Sequence, residues 1–112
     1  MPEFIDCKRI LLYPGATDMR LGIFGLIRKI ADPENRCCYV FCGKNRRTVK
    51  ILCYEGTSVW LCQKRLFRGR FTWPNTGKPT DIDVAMLGFL LTGIDRLNSI
   101  ELDGKIPDYS LF

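Results

Sequence analysis

Apolar residues in the middle of this chain recur at every second position, which is the period of a β-strand. Val49, Ile51 and Cys53 form the clearest such run and define one apolar strand face. The turns between neighbouring apolar segments are short, which favours antiparallel pairing because a crossover needs a longer connection. The pattern therefore predicts a four-strand antiparallel β-meander, with strands at 38–42, 47–55, 59–66 and 70–73.

The flanks of the meander carry the 3.6-residue period of helices instead. One apolar stripe predicts a helix over 18–31, which ends before Pro33 because proline disfavours helical geometry in the preceding residue. A second stripe predicts a helix over 81–91, followed by Gly93. Residues with good N-cap side chains precede both helices; they are Thr17, Asp18, Thr80 and Asp81.

A short apolar run at 10–13, ended by Pro14 and Gly15, predicts one more strand ahead of the first helix. The expected fold class is α+β, an antiparallel four-strand β-meander with one helix before it and one after it. We expect one domain over 1–98 and a loosely ordered C-terminal tail over 99–112, where the apolar pattern fades.

Length and composition are those of a globular protein. A chain of 112 residues, 46% hydrophobic and 26% charged, can bury enough surface to form a stable core without disulfide cross-links or a structural metal. Its apolar runs are far shorter than the roughly 18 residues of a membrane span, and the N-terminus does not resemble a signal peptide. We therefore expect a cytoplasmic protein with no membrane partner.

The chain contains no histidine, which narrows the chemistry more than any other count. Histidine general bases, Ser-His-Asp and Cys-His catalysis and His-ligated zinc are all excluded. We expect a protein that is not an enzyme and needs no cofactor, metal or small-molecule substrate.

Positive charge is concentrated in the middle of the chain. The segment 36–78 holds ten basic residues and one acid, Glu55, for a net charge of +9, whereas the remainder is mildly acidic. Such a field attracts polyanions. A solvated basic sheet surface that resists aggregation is the alternative interpretation.

The six cysteines have no CxxC pair among them. Cys38 and Cys42 share a strand face but lie about 13 Å apart along it, too far to chelate one ion directly. A metal would need ligands that converge from different strands, which the sequence neither shows nor forbids. We expect the cysteines to be small buried hydrophobic residues, without disulfides.

Basic and aromatic residues cluster in two places. One is a hairpin tip at 44–47, where cations could contact phosphates; the other is 60–74, where four basic residues interleave with four aromatics. A plain solvated turn and an ordinary sheet are the respective alternatives. Trp60 is the aromatic most expected in the core, whereas Phe71 and Trp73 are compatible with either role.

Several short motifs together resemble one known family. They are TDMR at 17–20, NRR at 45–47, KRL at 64–66, GRFTWP at 69–74 and GID at 93–95. This succession is similar to the TnpB-type accessory proteins encoded by bacterial insertion sequences of the group numbered sixty-six, which are distinct from the RNA-guided TnpB nucleases. The similarity spans roughly residues 8 to 96. Arg96 departs from it, since an aromatic residue is common there.

The resemblance implies a small accessory factor of transposition, made beside a separate transposase, and brings no established catalytic residues. Its motif positions and the basic clusters together predict a nucleic-acid-binding set: Arg20, Lys44, Arg46, Arg47, Lys50, Lys64, Arg65, Arg68, Arg70 and Trp73. Three acidic motif positions have no assigned role; they are Asp18, Glu55 and Asp95.

Two other functions compete with DNA binding. The protein could instead be an interaction module that docks on the transposase or another protein of the mobile element, with little DNA binding of its own. A small metal-dependent nuclease is the third interpretation, and it would need convergent carboxylates such as Asp18 and Glu55.

Overall fold

A computed structural model describes residues 7–75 and 77–93. Its elements, in chain order, are β1 (Arg9–Leu12), α1 (Ile23–Ile30), β2 (Cys37–Cys42), β3 (Thr48–Tyr54), β4 (Val59–Arg65), β5 (Thr80–Ile82) and α2 (Val84–Leu90). The predicted tail at 99–112 and Asp95 lie outside the described residues. Neither helix in 7–75 and 77–93 is long and apolar enough to cross a membrane.

The fold is α+β as predicted, but its sheet is mixed and has five strands in the order β4-β3-β2-β1-β5. Strands β2, β3 and β4 form an antiparallel meander, which confirms the central part of the prediction. Strand β1 pairs with β2 in parallel, and the short β5 adds antiparallel to β1. The prediction of a pure four-strand meander is therefore wrong.

Long-range contacts explain the difference. The segment that contains α1 is long enough for a crossover, so β1 can lie parallel beside β2 instead of remaining outside the sheet. The predicted fourth strand at 70–73 does not form: β4 ends at Arg65, and after the bend at Gly69, which has a φ of 76°, only Arg70 makes an isolated bridge. Phe71 and Trp73 then turn into the core. Pro74 cannot extend a strand there, because it has no amide hydrogen to donate to a neighbouring strand.

Both helices are shorter than predicted because their first turns form other structures. Before α1, Asp18 accepts a hydrogen bond from the Arg20 amide, and the helix begins after Gly22 without a side-chain cap. Before α2, residues 80–82 pair with β1, so Asp83 takes the capping role and accepts from the Met86 amide at 2.7 Å.

The helices cover opposite faces of the sheet. On one face, Leu26 of α1 is fully buried against Tyr39, Phe41 and Leu52. The other face packs against α2 and the segment after β4, through residues that include Leu66, Phe71, Trp73, Leu87 and Leu90. Strand β2 is consequently buried along its whole length, and each large apolar side chain removed from water in this way contributes about 1.5–3 kcal/mol.

Candidate nucleic-acid interface

Two turns bring cations together at one end of the sheet. The turn between β2 and β3 lies beside the loop that follows β4, because the Leu66 and Phe71 amides donate to the carbonyls of Arg47 and Arg46 at 2.8 and 2.7 Å. We call this region the basic end; its cations are Lys44, Arg46, Arg47, Arg65, Arg68 and Arg70. The structure thus unites two clusters that are about twenty residues apart in the sequence.

Part of the charge of the basic end is not balanced by carboxylates of the described residues. Within residues 7–75 and 77–93, no carboxylate forms an ion pair with Lys44, Arg65 or Arg70, and all three are exposed. Arg47 is half-buried, and its guanidinium donates to the Phe67 carbonyl at 3.5 Å. An uncompensated group of this kind produces a field that attracts anions.

Arg46 lies in the basic end but also has an internal role. Its guanidinium donates to the Gly15 carbonyl at 2.7 Å and to Asn75 Oδ1 at 3.4 Å. The residue itself has a φ of 61°, in the left-handed region. Arg46 therefore ties the β2–β3 turn to the loop after β1 and to the chain after Trp73.

Two other predicted binding residues carry ammonium groups that hydrogen-bond to backbone carbonyls. Lys50 is only 9% exposed, and its Nζ donates to the Met19 and Leu21 carbonyls, each at 2.9 Å. Lys64 Nζ donates to the Leu91 carbonyl at 2.7 Å, where burial lowers the pKa of the lysine. Lys50 holds the segment ahead of α1, and Lys64 holds the end of α2, where a cation is favourable.

The aromatic residues are placed differently from what the sequence indicates. Trp73 is 9% exposed, and its indole Nε1 donates to the Tyr13 carbonyl at 2.9 Å, so the ring is part of the core. Phe71 is buried as well. The expectation that Trp60 belongs to the core is wrong, since it is 42% exposed near the start of the edge strand β4.

Asp18 and Arg20 form a compact ion pair beside the sheet. Arg20 donates through Nη2 and Nε to the Asp18 carboxylate at 2.8 and 3.0 Å, and its backbone amide donates to the same group at 2.9 Å. These hydrogen bonds, the side-chain one foremost, lower the pKa of Asp18 to about 2. Thr17 next to them is buried, and its hydroxyl has no hydrogen-bond partner among the residues that the structure describes. The guanidinium of Arg20 stays exposed but is partly neutralised.

The two acidic motif positions within the described residues, Asp18 and Glu55, do not converge. The chain beside Asp18 is held at the Cys42 end of β2, because the Thr17 amide donates to the Cys42 carbonyl. Glu55 follows Tyr54, which pairs with Cys37 at the other end of β2. Those two ends are about 17 Å apart at strand spacing.

The cysteines are the feature that sequence reasoning missed. Cys7 and Cys38 form a disulfide, which contradicts the expectation of unpaired thiols. The pairing depends on the parallel register of β1 and β2, which was not predicted. Cys53 lies beside it, with its Sγ 4.0 Å from Cys7 Sγ, and burial raises the pKa of Cys53 to about 12. The predicted burial is confirmed for Cys37, Cys38, Cys42 and Cys53.

Comparison with known proteins defines the class of this chain. The profile of the IS66 Orf2-like proteins matches residues 8–100, and the chain belongs to that family, the accessory proteins of insertion-sequence transposition. A protein of Sinorhizobium fredii (strain NBRC 101917 / NGR234), carrying the description uncharacterized protein y4hO, is 36% identical over 93 residues, which cover 78% of this chain and 81% of the relative. No solved structure matches the chain.

Proposed function

We propose that this transposition accessory protein binds nucleic acid through the basic end of its sheet. The observation that carries the proposal is the group of cations from two turns, several of them exposed and without an acidic partner among the described residues. Cations in this arrangement contact phosphates, and phosphate contacts supply most of the affinity in binding that does not depend on sequence.

The positions of the side chains separate contact residues from supporting residues. Lys44, Arg47, Arg65, Arg68 and Arg70 form the proposed contact surface, and Arg20 lies on the loop next to it. Lys50, Lys64 and Trp73 support the fold around that surface, because each donates to a backbone carbonyl at 2.7 or 2.9 Å, whereas the Arg47 bond to the Phe67 carbonyl is 3.5 Å long. Five phosphate contacts correspond to a slope of about −4.5 for log affinity against log salt on duplex DNA.

Docking on the transposase, or on another protein of the same element, is the second candidate function. It is favoured by apolar side chains that DNA binding does not require. Helix α2 exposes Val84, Met86 and Phe89, and α1 exposes Phe24, each by 47% or more. Exposed apolar groups on two helices are typical of surfaces that contact proteins.

We further propose that the protein does not cleave its ligand. Metal-assisted cleavage of phosphodiesters requires carboxylates that share one or two ions about 4 Å apart. Asp18 is paired with Arg20. Glu55 lies about one strand length away from Asp18, and its carboxylate accepts a hydrogen bond from Ser58 Oγ. Asp81 is engaged by Arg9. These placements support a binding role rather than hydrolysis.

The test compares two triple variants with equal changes in charge. The first, Lys44→Glu/Arg65→Glu/Arg70→Glu, reverses exposed cations of the basic end. The control, Lys8→Glu/Arg28→Glu/Lys29→Glu, reverses exposed cations near the opposite end of the sheet. Arg46 and Lys50 stay unchanged because their loss would disturb the fold.

Binding to duplex and single-stranded DNA is measured across a salt series for the wild type and both variants. We expect the first variant to flatten the salt slope by at least about 2.7, the share of three phosphate contacts, and the control to retain most of the slope. Equal losses in the two variants would show that only net charge matters. Absence of wild-type binding at low salt, with binding to the purified transposase, would favour the docking function.

A further inference from the structure

Three cysteine side chains from separate parts of the chain meet on one face of the sheet. Cys7 precedes β1, Cys38 lies in β2 and Cys53 in β3, and the β2–β3 register places Cys38 directly opposite Cys53. The three Sγ atoms all lie within 4.8 Å of one another. We call them the sulfur triad.

The spacing of the triad is that of ligands around a thiophilic cation. A Zn–S bond of about 2.3 Å in a tetrahedral site puts neighbouring sulfurs about 3.8 Å apart. Cys7 and Cys53 already have their Sγ atoms 4.0 Å apart. Once the disulfide is reduced, Cys38 needs only a small movement away from Cys7 to occupy the third position, because the Cα atoms of these two residues are 6.2 Å apart.

The surroundings suit a buried sulfur site that can still be reached. Cys38 and Cys53 are 0% and 2% exposed, whereas Cys7 is half-buried at the rim. Ile10 packs in the same cluster, and an apolar shell limits the access of solvent to the site. The donors are all sulfur, the ligand type that selects zinc or another soft metal over Mg²⁺ or Ca²⁺.

We propose that Cys7, Cys38 and Cys53 form a thiolate site for a zinc-class cation, and that the Cys7–Cys38 disulfide is the oxidised form of the same site. Two-electron reduction breaks the S–S bond and gives two thiols. Two external thiols supply the electrons and protons and become a disulfide, or a phosphine takes the oxygen of one water molecule, becomes the phosphine oxide and leaves the two protons. The three thiols then bind one divalent cation and release three protons, with water as the fourth ligand. Oxidation and metal binding exclude each other because both use the sulfurs of Cys7 and Cys38.

The experiment uses the full chain, reduced with a phosphine and titrated with Co²⁺ and then with Zn²⁺. We expect one Co²⁺ per chain with a sulfur-to-cobalt charge-transfer band in the near ultraviolet. We also expect displacement of Co²⁺ by Zn²⁺ and release of about three protons per ion. Without the reductant, the disulfide form should bind no Co²⁺ at the triad.

Single variants locate the site. Cys7→Ala, Cys38→Ala and Cys53→Ala should each weaken Zn²⁺ binding by more than the 10–100-fold typical of a lost outer-shell partner. Cys42→Ala is the matched control, because Cys42 is fully buried on the same strand and face as Cys38 but about 13 Å along it. The Zn²⁺ affinity of Cys42→Ala should stay within a few-fold of the wild-type affinity.

Circular dichroism of each metal-free variant shows whether it folds. Cys7 is the most exposed of the three, so Cys7→Ala carries the test if a core variant unfolds. A wild type that gives no cobalt charge-transfer band after reduction would overturn the proposal. The same follows if Cys7→Ala binds as tightly as wild type, or if Cys42→Ala loses as much affinity as the triad variants.

Discussion

Replacing Lys50 with methionine separates the structural cations of this protein from the proposed interface cations. Methionine keeps most of the length and apolar character of the stem but removes the ammonium and both of its 2.9 Å hydrogen bonds to the Met19 and Leu21 carbonyls. The bonds are charge-assisted and the side chain is 9% exposed, so each contributes about 1.5–3 kcal/mol.

We take the lower end of that range because methionine also removes the cost of keeping an ammonium out of water. The two bonds then give a loss of about 3 kcal/mol in the free energy of unfolding. For a domain of this size that loss corresponds to a decrease in Tm of about 12 °C. Urea denaturation followed by tryptophan fluorescence measures it directly.

Lys44→Met is the matched control, since Lys44 is exposed and makes no hydrogen bond or ion pair with the described residues. It should change stability by less than about 0.5 kcal/mol and flatten the DNA salt slope by about 0.9. Lys50→Met should do the reverse, with stability reduced and the slope unchanged for the folded fraction. A stable Lys50→Met protein, or one that folds normally but loses a unit of slope, would refute the assignment of Lys50 as an internal support.

Two further predictions concern caps and acid pH. Asp83→Ala removes the acceptor of the Met86 amide and should lower stability by about 1 kcal/mol in urea denaturation; Asp83→Asn should restore most of it, and failure to do so would mean that the cap is not the cause. The pKa of Asp18 is lowered to about 2 by hydrogen bonds from Arg20. Its stabilising effect is therefore complete above its unfolded pKa near 4 and lost as the pH falls towards 2. Thermal denaturation between pH 5 and pH 2 should show a shallower loss for Asp18→Asn, and identical pH profiles would contradict this reasoning.

The cations of segment 36–78 show what a count of charged residues can and cannot predict about a binding surface. The excess of positive charge in 36–78 is a property of the sequence, and the structure places much of it at one end of the sheet. Three of those residues are nevertheless supports, because Arg46, Lys50 and Lys64 donate to backbone carbonyls at 2.7, 2.9 and 2.7 Å. The sequence around a lysine in a strand does not show whether its ammonium is solvated by water or hydrogen-bonded to a backbone carbonyl.

Much of this fold follows from the sequence alone. The meander of β2, β3 and β4 is predictable because the alternation of apolar residues and the short turns are local properties of the sequence. Both helices were predicted for the same reason, although their starts were placed too early, because Asp18 bonds to Arg20 and residues 80–82 join the sheet. The succession of short motifs was also sufficient to indicate the family.

Only the tertiary structure decided which distant segments meet. The parallel pairing of β1 with β2, the turn of Phe71 and Trp73 into the core and the sulfur triad all join residues that are far apart in the sequence. The period of the hydrophobic residues indicates that one face of an element is buried, but not which segment covers that face. The reason is that the hydrophobic effect is non-directional, whereas the hydrogen-bond register between two strands is specific. For that reason the cysteines were recognised as buried from the sequence, while their convergence depended on a strand register that no local pattern contains.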